Sequence, residues 1–433
     1  MDFSEFFRDN LKIAYGCTEP VAVALAASHA ARLIKEKKFR KIEIITDRNI
    51  FKNGFGAGIP NSNGMIGNVF AASLGAFIAD PDKGFSIFND IPDNTLKAAE
   101  KFFKEKRISI SVDKSKTGIY IFIKIYTYDD DYAVAIVKDD HLGICKLIKN
   151  GQEIFSKEKH TEKKKQTKFF EDVSIDDLVN HVSECEISLL KPVQKALDVN
   201  MEASKYGIAN PSGIKLGNTL KKMWDDNTLC HNAENMIKYS VAAACDARMG
   251  GESVPVMTLC GSGNQGIAAT IPIFCWCDFN NIKDKNLILR ATALSCLITG
   301  FIKERLGKLS PICGCVAASG SGAAAGITFI NGHPEKTGGT IANLLADITG
   351  VICDGAKGSC SLKLSTACGM APLYSTLAIN GCIVDEKNGI IEDTIEKTIE
   401  NLREVAQDGM ALVDEKVVNI FEKKISLSDT GKR

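Results

Sequence analysis

The chain has 433 residues with 53 basic and 53 acidic side chains, so it carries no net field that would draw it to nucleic acid or to a membrane surface. That length leads us to expect two or three domains. Fifteen cysteines, an odd count, argue against a closed disulfide framework. With neither a basic-then-apolar leader nor an apolar run long enough to span a bilayer, the expected location is a reducing cytoplasm and the expected partner a small molecule, with no nucleic acid and no membrane.

In chain order, residues 4–38 read as a helical entry interrupted at Gly16-Cys17-Thr18-Glu19-Pro20, where Thr18 has the chemistry of a cap and Pro20 that of a first-turn residue. Cys17 stands just ahead of a helix, where amide dipoles favour a thiolate, although a buried cysteine beside a cap is the plainer reading. Alternation over 41–46 predicts a strand. The glycine loop Lys52-Asn53-Gly54-Phe55-Gly56-Ala57-Gly58-Ile59-Pro60-Asn61 then exposes amides that could hold a carboxylate or simply connect elements, and a helix follows near 69–78. Strands are expected at 108–112, 118–127 and 132–138, closed by a hairpin at Asn150-Gly151. His141 falls on a turn between strands, where a lone histidine is ordinarily solvated. The lysine-rich, apolar-poor stretch 157–168 reads as a connector.

Beyond it, helices are expected at 175–182, 187–206, 220–238 and 240–248. Cys260-Gly261-Ser262-Gly263-Asn264-Gln265-Gly266 satisfies G-x-G-x-x-G formally, but the chain before it is helical and no strand ending in an acid follows. A loop at a helix start that binds a small carboxylate through Ser262 and Asn264 fits better. A helix over 286–306 leads to Pro311-Ile312-Cys313-Gly314-Cys315, and one over 338–349 leads to the segment from Cys353 to Cys360. The small-residue run 317–326 is read as part of tight turns that hold ligands and do not fill a core. Soft thiols flanked by glycines suit an iron–sulfur cluster, whereas zinc would more often bring paired C-x-x-C units. A closing helix is expected over 394–423.

Five motifs in series, Cys17-Thr18-Glu19-Pro20, Lys52-Asn53-Gly54 with Gly58-Ile59-Pro60, the glycine loop 261–266, Pro311–Cys315 and Cys353-Asp354-Gly355-Ala356-Lys357, resemble the L-cysteine desulfidase family, itself related to the iron–sulfur L-serine dehydratases. The resemblance implies an α+β fold: an N-terminal α+β domain over 1–170 with a small mixed or antiparallel sheet, like the serine dehydratase β region, and a mainly helical cluster-binding domain over 171–433. It implies a [4Fe–4S] cluster, no pyridoxal phosphate, and a lyase that splits L-cysteine into sulfide, ammonia and pyruvate, with a homodimer as the assembly it allows.

Carried over by position, Cys313, Cys353 and Cys360 match the ligand cysteines and Cys17 the essential N-terminal cysteine. Cys315 competes with Cys360, but two ligands in C-x-C on one iron are awkward, which favours Cys360. The candidate Cα bases are Cys17, then His141, then Lys357. Expected substrate contacts are Thr18 and Glu19, Lys52 and Asn53, and Ser262, Gly263, Asn264 and Gln265. The chain departs from the pattern at Leu142, where a hydroxyl residue is expected after His141. The rival readings are an L-serine or L-threonine dehydratase, expected to carry a Gly-Pro-Ser-Ser-Ser-His-Thr-like segment where this chain has Gly16–Pro20, and a non-catalytic cluster used for sensing or electron transfer.

Overall fold

The computed structural model describes residues 3–116, 118–157, 168–307 and 310–429; the connector read at 157–168 lies almost wholly outside the described residues. The chain opens with α1 (Ser4–Asn10), β1 (Lys12–Tyr15) and α2 (Thr18–Arg32), then β2 (Phe39–Thr46), α3 (Arg48–Gly54), α4 (Gly67–Ile78) and α5 (Asp93–Lys104). Strands β3 (Ile108–Val112), β4 (Tyr120–Thr127), β5 (Tyr132–Lys138), β6 (Ile144–Lys149) and β7 (Gln152–Ser156) complete the N-terminal part. They form one mixed sheet of order β3-β2-β4-β5-β6-β7, parallel only between β2 and β3. The fold is α+β.

Period-two burial along β4 turns Ile121, Ile123 and Ile125 inward with Ile42 and Ile44. Against them pack Ala22, Ala26 and Ala30 of α2, whose small side chains let helix and sheet approach closely. Asp47 caps α3 by accepting from the Asn49 and Ile50 amides at 2.7 and 3.3 Å. It also accepts from Tyr120 on β4 at 2.8 Å, so one carboxylate, worth about 1 kcal/mol as a cap alone, ties the helix start to the sheet. The hairpin at Asn150-Gly151 has φ of 49° and 82°, as the tight two-residue turn requires.

The remainder is helical: α6 (Ile175–Glu184), α7 (Lys191–Ala209), α8 (Leu216–Asp225), α9 (Ala233–Met249), the short β8 (Pro255–Thr258), α10 (Gly263–Phe279), α11 (Lys285–Leu306), α12 (Gly314–Ile330), α13 (Thr337–Ile348), α14 (Cys360–Ile379), α15 (Ile395–Glu404) and α16 (Val413–Asp429). The small-residue run 317–326 differs from the turn reading. It forms the middle of α12, entirely buried, where a Cβ on Gly322 would stand 2.3 Å from the Ser295 carbonyl. Small residues are there because α11 and α12 pack backbone to backbone. α11 is long and apolar enough to cross a bilayer by length and composition, with 72% of its apolar window buried inside the protein; it is the core helix here.

Both ends of the chain cross to the opposite part. Phe3, Phe6 and Phe7 join the helical core, with Phe6 packed edge-on against Phe170 at 5.1 Å, and β1 pairs antiparallel with β8. At the other end Phe421 of α16 stacks on Phe55 at 4.2 Å. Three local expectations change. The four residues of β1 are too few to show alternation within a helical entry, the helix expected over 220–238 is broken before Asn232 caps α9, and the closing helix is interrupted between α15 and α16.

Candidate active site

Cys313 is the N-cap of α12 and Cys360 the first residue of α14, so two helix starts present thiols. The Cys353 loop is stitched to the Cys313 turn by main chain: the Cys313 amide donates to the Val351 carbonyl at 2.8 Å and the Cys353 amide to the Pro311 carbonyl at 2.6 Å. Cys313, Cys315 and Cys353 pack in one small cluster with Val316, Val351 and Ala367, and Cys360 feels the charges of Cys313 and Cys353. A hydrogen bond from the Cys315 thiol brings Cys313 down to about 6, overcoming burial, with Lys363 adding to the effect. Cys315 is pushed the other way by the same bond. Within this pair the shared bond favours the thiolate on Cys313 and the proton on Cys315.

This donor set fits an iron–sulfur cluster: soft thiols on separate turns, a depressed thiol among them, and amide-bearing helix starts that favour negative charge. Among the described residues no group of three or more His, Cys, Asp or Glu closes around a single metal ion, and all fifteen cysteines are free thiols. Two groups not singled out by the sequence, Lys303 and Cys245, face these thiols together with Gln265 from the expected substrate contacts. Buried Lys303 of α11 has its pKa lowered by burial against the opposing pull of Cys353, Cys260, Cys315 and Cys313. Buried Cys245 of α9 interacts with Cys360 and Cys313. Gln265 presses its amide nitrogen to where a Gly314 Cβ would lie, 2.4 Å away, and its Oε1 is buried without a partner.

The other wall begins at Cys17, the N-cap of α2. Its thiol is buried and donates to Glu19 Oε2 at 2.9 Å. The helix-start expectation of a thiolate does not hold: burial, then the Glu19 charge, push the thiol well above its ordinary range. Thr18 is the first helical residue and no cap; its hydroxyl turns to the same carboxylate at 3.2 Å. Asn53 donates to Glu19 Oε1 at 3.1 Å. Burial would raise the Glu19 pKa, but the charges of His141 and Arg248 and the Cys17 bond hold it below the ordinary carboxylate value. His141, expected to be solvated on its turn, thus reaches the Cys17–Glu19 pair electrostatically.

Glycines bring the two walls together. Gly16, at φ +66°, leaves room for Pro60, whose Cγ would stand 2.9 Å from a Cβ there. Gly58 abuts Met249 and Gly251 at the end of α9, and Gly56 bridges to Lys357. Gly355, at φ +91°, lies against the Lys52 carbonyl, 2.3 Å from a would-be Cβ. Asn264 accepts from Arg248 Nη1 at 3.0 Å, and Ser262 caps α10 through the Gln265 amide at 3.4 Å. The motifs separated in sequence therefore meet around the end of α9.

Two expected site cations are occupied elsewhere. Lys52, only 2% exposed, gives its ammonium to Asp414 of α16 at 2.5 Å, so it fastens the C-terminal helix behind the glycine loop. Lys357 is paired with Asp354, which Lys363 also binds at 2.6 Å. Against the raising effect of burial, these two lysines hold the Asp354 carboxyl at about 2. They fix the loop that carries Cys353. An open groove of about 1520 Å³ runs along β3 between Arg40, Phe103, Arg107 and Lys424, and none of the candidate catalytic or metal-binding residues lines it.

A family model described as serine dehydratase alpha chain matches residues 93–419, which include the glycine loop of α10 and every cysteine turn. The chain belongs to this family. It is an iron–sulfur-dependent dehydratase family, so the lyase class and an iron–sulfur group follow for this member. Among curated relatives, a UPF0597 protein of Clostridium botulinum (strain Okra / Type B1) is 34% identical over 424 residues, 97% of this chain and 96% of its own. A UPF0597 protein of Desulfotalea psychrophila is 32% identical over 421 residues, 95% and 96% of the two chains. One from Alkaliphilus oremlandii is 33% identical over 411 residues, 94% and 95%. The family model begins only at residue 93 and leaves the Cys17 wall outside.

Proposed function

We propose that this family member is a [4Fe–4S]-dependent L-cysteine desulfidase acting without pyridoxal phosphate. The observation that carries the reading is the Cys17–Glu19 pair, a buried thiol hydrogen-bonded to an ionised carboxylate, whose partner Asn53 sits on the loop that contacts of Gly56 with Lys357 and of Lys52 with Gly355 join to the Cys353 turn. Cys313, Cys353 and Cys360 would hold the cluster, which when bound supplies a soft Lewis-acid position for the substrate sulfur. Cys315 supports Cys313 through its S–H bond, and Lys303 offsets the accumulated negative charge.

The chain's own chemistry is then proton handling and orientation. Glu19 takes the Cys17 proton as the thiol sulfur takes the proton from Cα, and the electrons of the C–H bond form the Cα–Cβ double bond as hydrosulfide leaves Cβ. Asn53 fixes Glu19 for this task at 3.1 Å, and His141 keeps it ionised. The released 2-aminoacrylate takes up water to give pyruvate and ammonia. Ser262, Gly263 and Asn264, at the start of α10, provide short-range donors and amides for the substrate carboxylate.

The family description favours a second reading in which hydroxide leaves from L-serine. Anaerobic assay of the iron-loaded chain separates the two: sulfide and pyruvate from L-cysteine at a kcat/KM well above that for L-serine is the expected result. Pyruvate from L-serine with no sulfide from L-cysteine would replace the first reading by the second.

A further inference from the structure

Arg248 is a buried cation at this site with no carboxylate in contact, the charge of Glu19 reaching it only at longer range. It stands next to last in α9 and is 3% exposed. Burying a guanidinium without a carboxylate is costly, because water's solvation of the charge is lost and nothing replaces it. Yet no Asp or Glu is in ion-pair contact with it among the described residues. Its Nη1 donates to Asn264 Oδ1 at 3.0 Å, a neutral acceptor. Its Nε is buried with no partner at all.

Its surroundings are arranged to admit it. A Cβ on Gly263 would stand 2.4 Å from Arg248 Nε, so the glycine opens the first turn of α10 to the guanidinium. Its charge is felt by Cys17 and Glu19 on one side and by Cys245 on the other. The unpartnered donor therefore lies within electrostatic reach of the Cys17–Glu19 pair and of Cys245, beside a helix start whose amides favour an anion.

We infer that Arg248 binds the α-carboxylate of the substrate, so that the site selects 2-amino acids over amines and amides of the same side chain. The inference rests on the proposed desulfidase reading only for the identity of that side chain. A planar guanidinium holding a carboxylate fixes the plane of the C–C bond at Cα, which orients the Cα–H bond toward Cys17. The Asn264 bond keeps the fork from rotating away when substrate leaves.

The test is calorimetric binding to the anaerobically purified full chain, with iron and sulfide counted on each sample. The probes are L-cysteine, L-cysteine amide and cysteamine. The wild type is expected to bind L-cysteine about 10- to 100-fold more tightly than the amide or cysteamine, the range of a charge-assisted hydrogen bond. Arg248→Met should remove that preference while leaving amide binding and iron content in place. Arg248→Lys, which keeps a positive charge in the same burial, should retain only part of it and guards against misfolding of the first variant. A wild type that binds acid and amide alike, or neither, overturns the inference without any variant. So does an Arg248→Met protein with the preference intact, or an Arg248→Lys protein in which acid and amide weaken together or iron is lost. Absence of sulfide release with the Arg248-dependent preference present would remove the desulfidase reading alone.

Discussion

Cys17 and Cys313 occupy the same local position. Each is the N-cap of a helix, neither makes a side-chain cap bond, and both are buried, at 4% and 7% exposure. Their thiols nevertheless move in opposite directions. Cys313 is held at about 6 by the Cys315 S–H bond, with Lys363 nearby. Cys17 is driven well up by burial and by Glu19. Helix-start amides are common to both, so they do not decide the outcome. The neighbour across the sulfur does: a donor and a cation favour the thiolate at Cys313, and an ionised carboxylate favours the protonated thiol at Cys17.

The comparison is broken most severely by removing a cluster-side thiol. Cys313→Ala, Cys353→Ala and Cys360→Ala should each lose iron and turnover by more than the roughly 10- to 100-fold that a lost supporting partner costs a metal site. Cys315→Ala should stay within that range and keep its iron. Iron and sulfide counts on purified protein check this, and a Cys315 variant as empty as the Cys313 variant would make Cys315 a ligand.

On the opposite wall, Cys17→Ser and Glu19→Gln should keep the cluster and lower kcat by about 10²- to 10⁴-fold, the usual range for a positioned acid–base group. A Cys17→Ser protein with full turnover would take Cys17 out of the chemistry. The same pair has a pH signature. The Glu19 pKa is depressed in the folded chain, so its contribution to stability is present above the unfolded value of about 4.3 and is lost as pH falls through the lower folded one. Activity should fall on that acid limb as Glu19 takes up a proton, and Glu19→Gln should flatten the limb in both melting and rate profiles.

Smaller effects sharpen the contrast between site and scaffold. Lys52→Met leaves Asp414, 22% exposed, without its cation and should destabilise the fold by about 1–3 kcal/mol, below the full cost of a wholly buried broken pair because water reaches the acid. Denaturant titration measures it, and iron content should be unchanged. Asn150→Ala forces an ordinary side chain into φ 49° and should cost about 1 kcal/mol with no change in KM.

Part of the sheet was readable because β3 and β4 alternate with period two and its hairpin carries Asn150-Gly151, whose residue types suit the tight turn. The cysteine turns were readable because thiols and glycines coincide there. β1 was not, since its four residues form a strand only by pairing with β8, more than two hundred positions away. α12 was misread because small residues serve both tight turns and close helix packing, and composition does not distinguish them.

By itself the order of residues determined the α+β class, the helix start behind Cys17 and the soft-ligand chemistry of the cysteine turns, because these depend on local backbone preference and on what a thiol is. Only the tertiary structure decided that Cys313 and Cys360 open helices, which thiol is favoured as the thiolate, that Lys52 belongs to Asp414, and that Arg248 stands beside Asn264 with an unpartnered buried donor. Those outcomes depend on electric fields and close contacts that fall off within a few ångströms, and the chain brings their sources together from positions far apart in sequence.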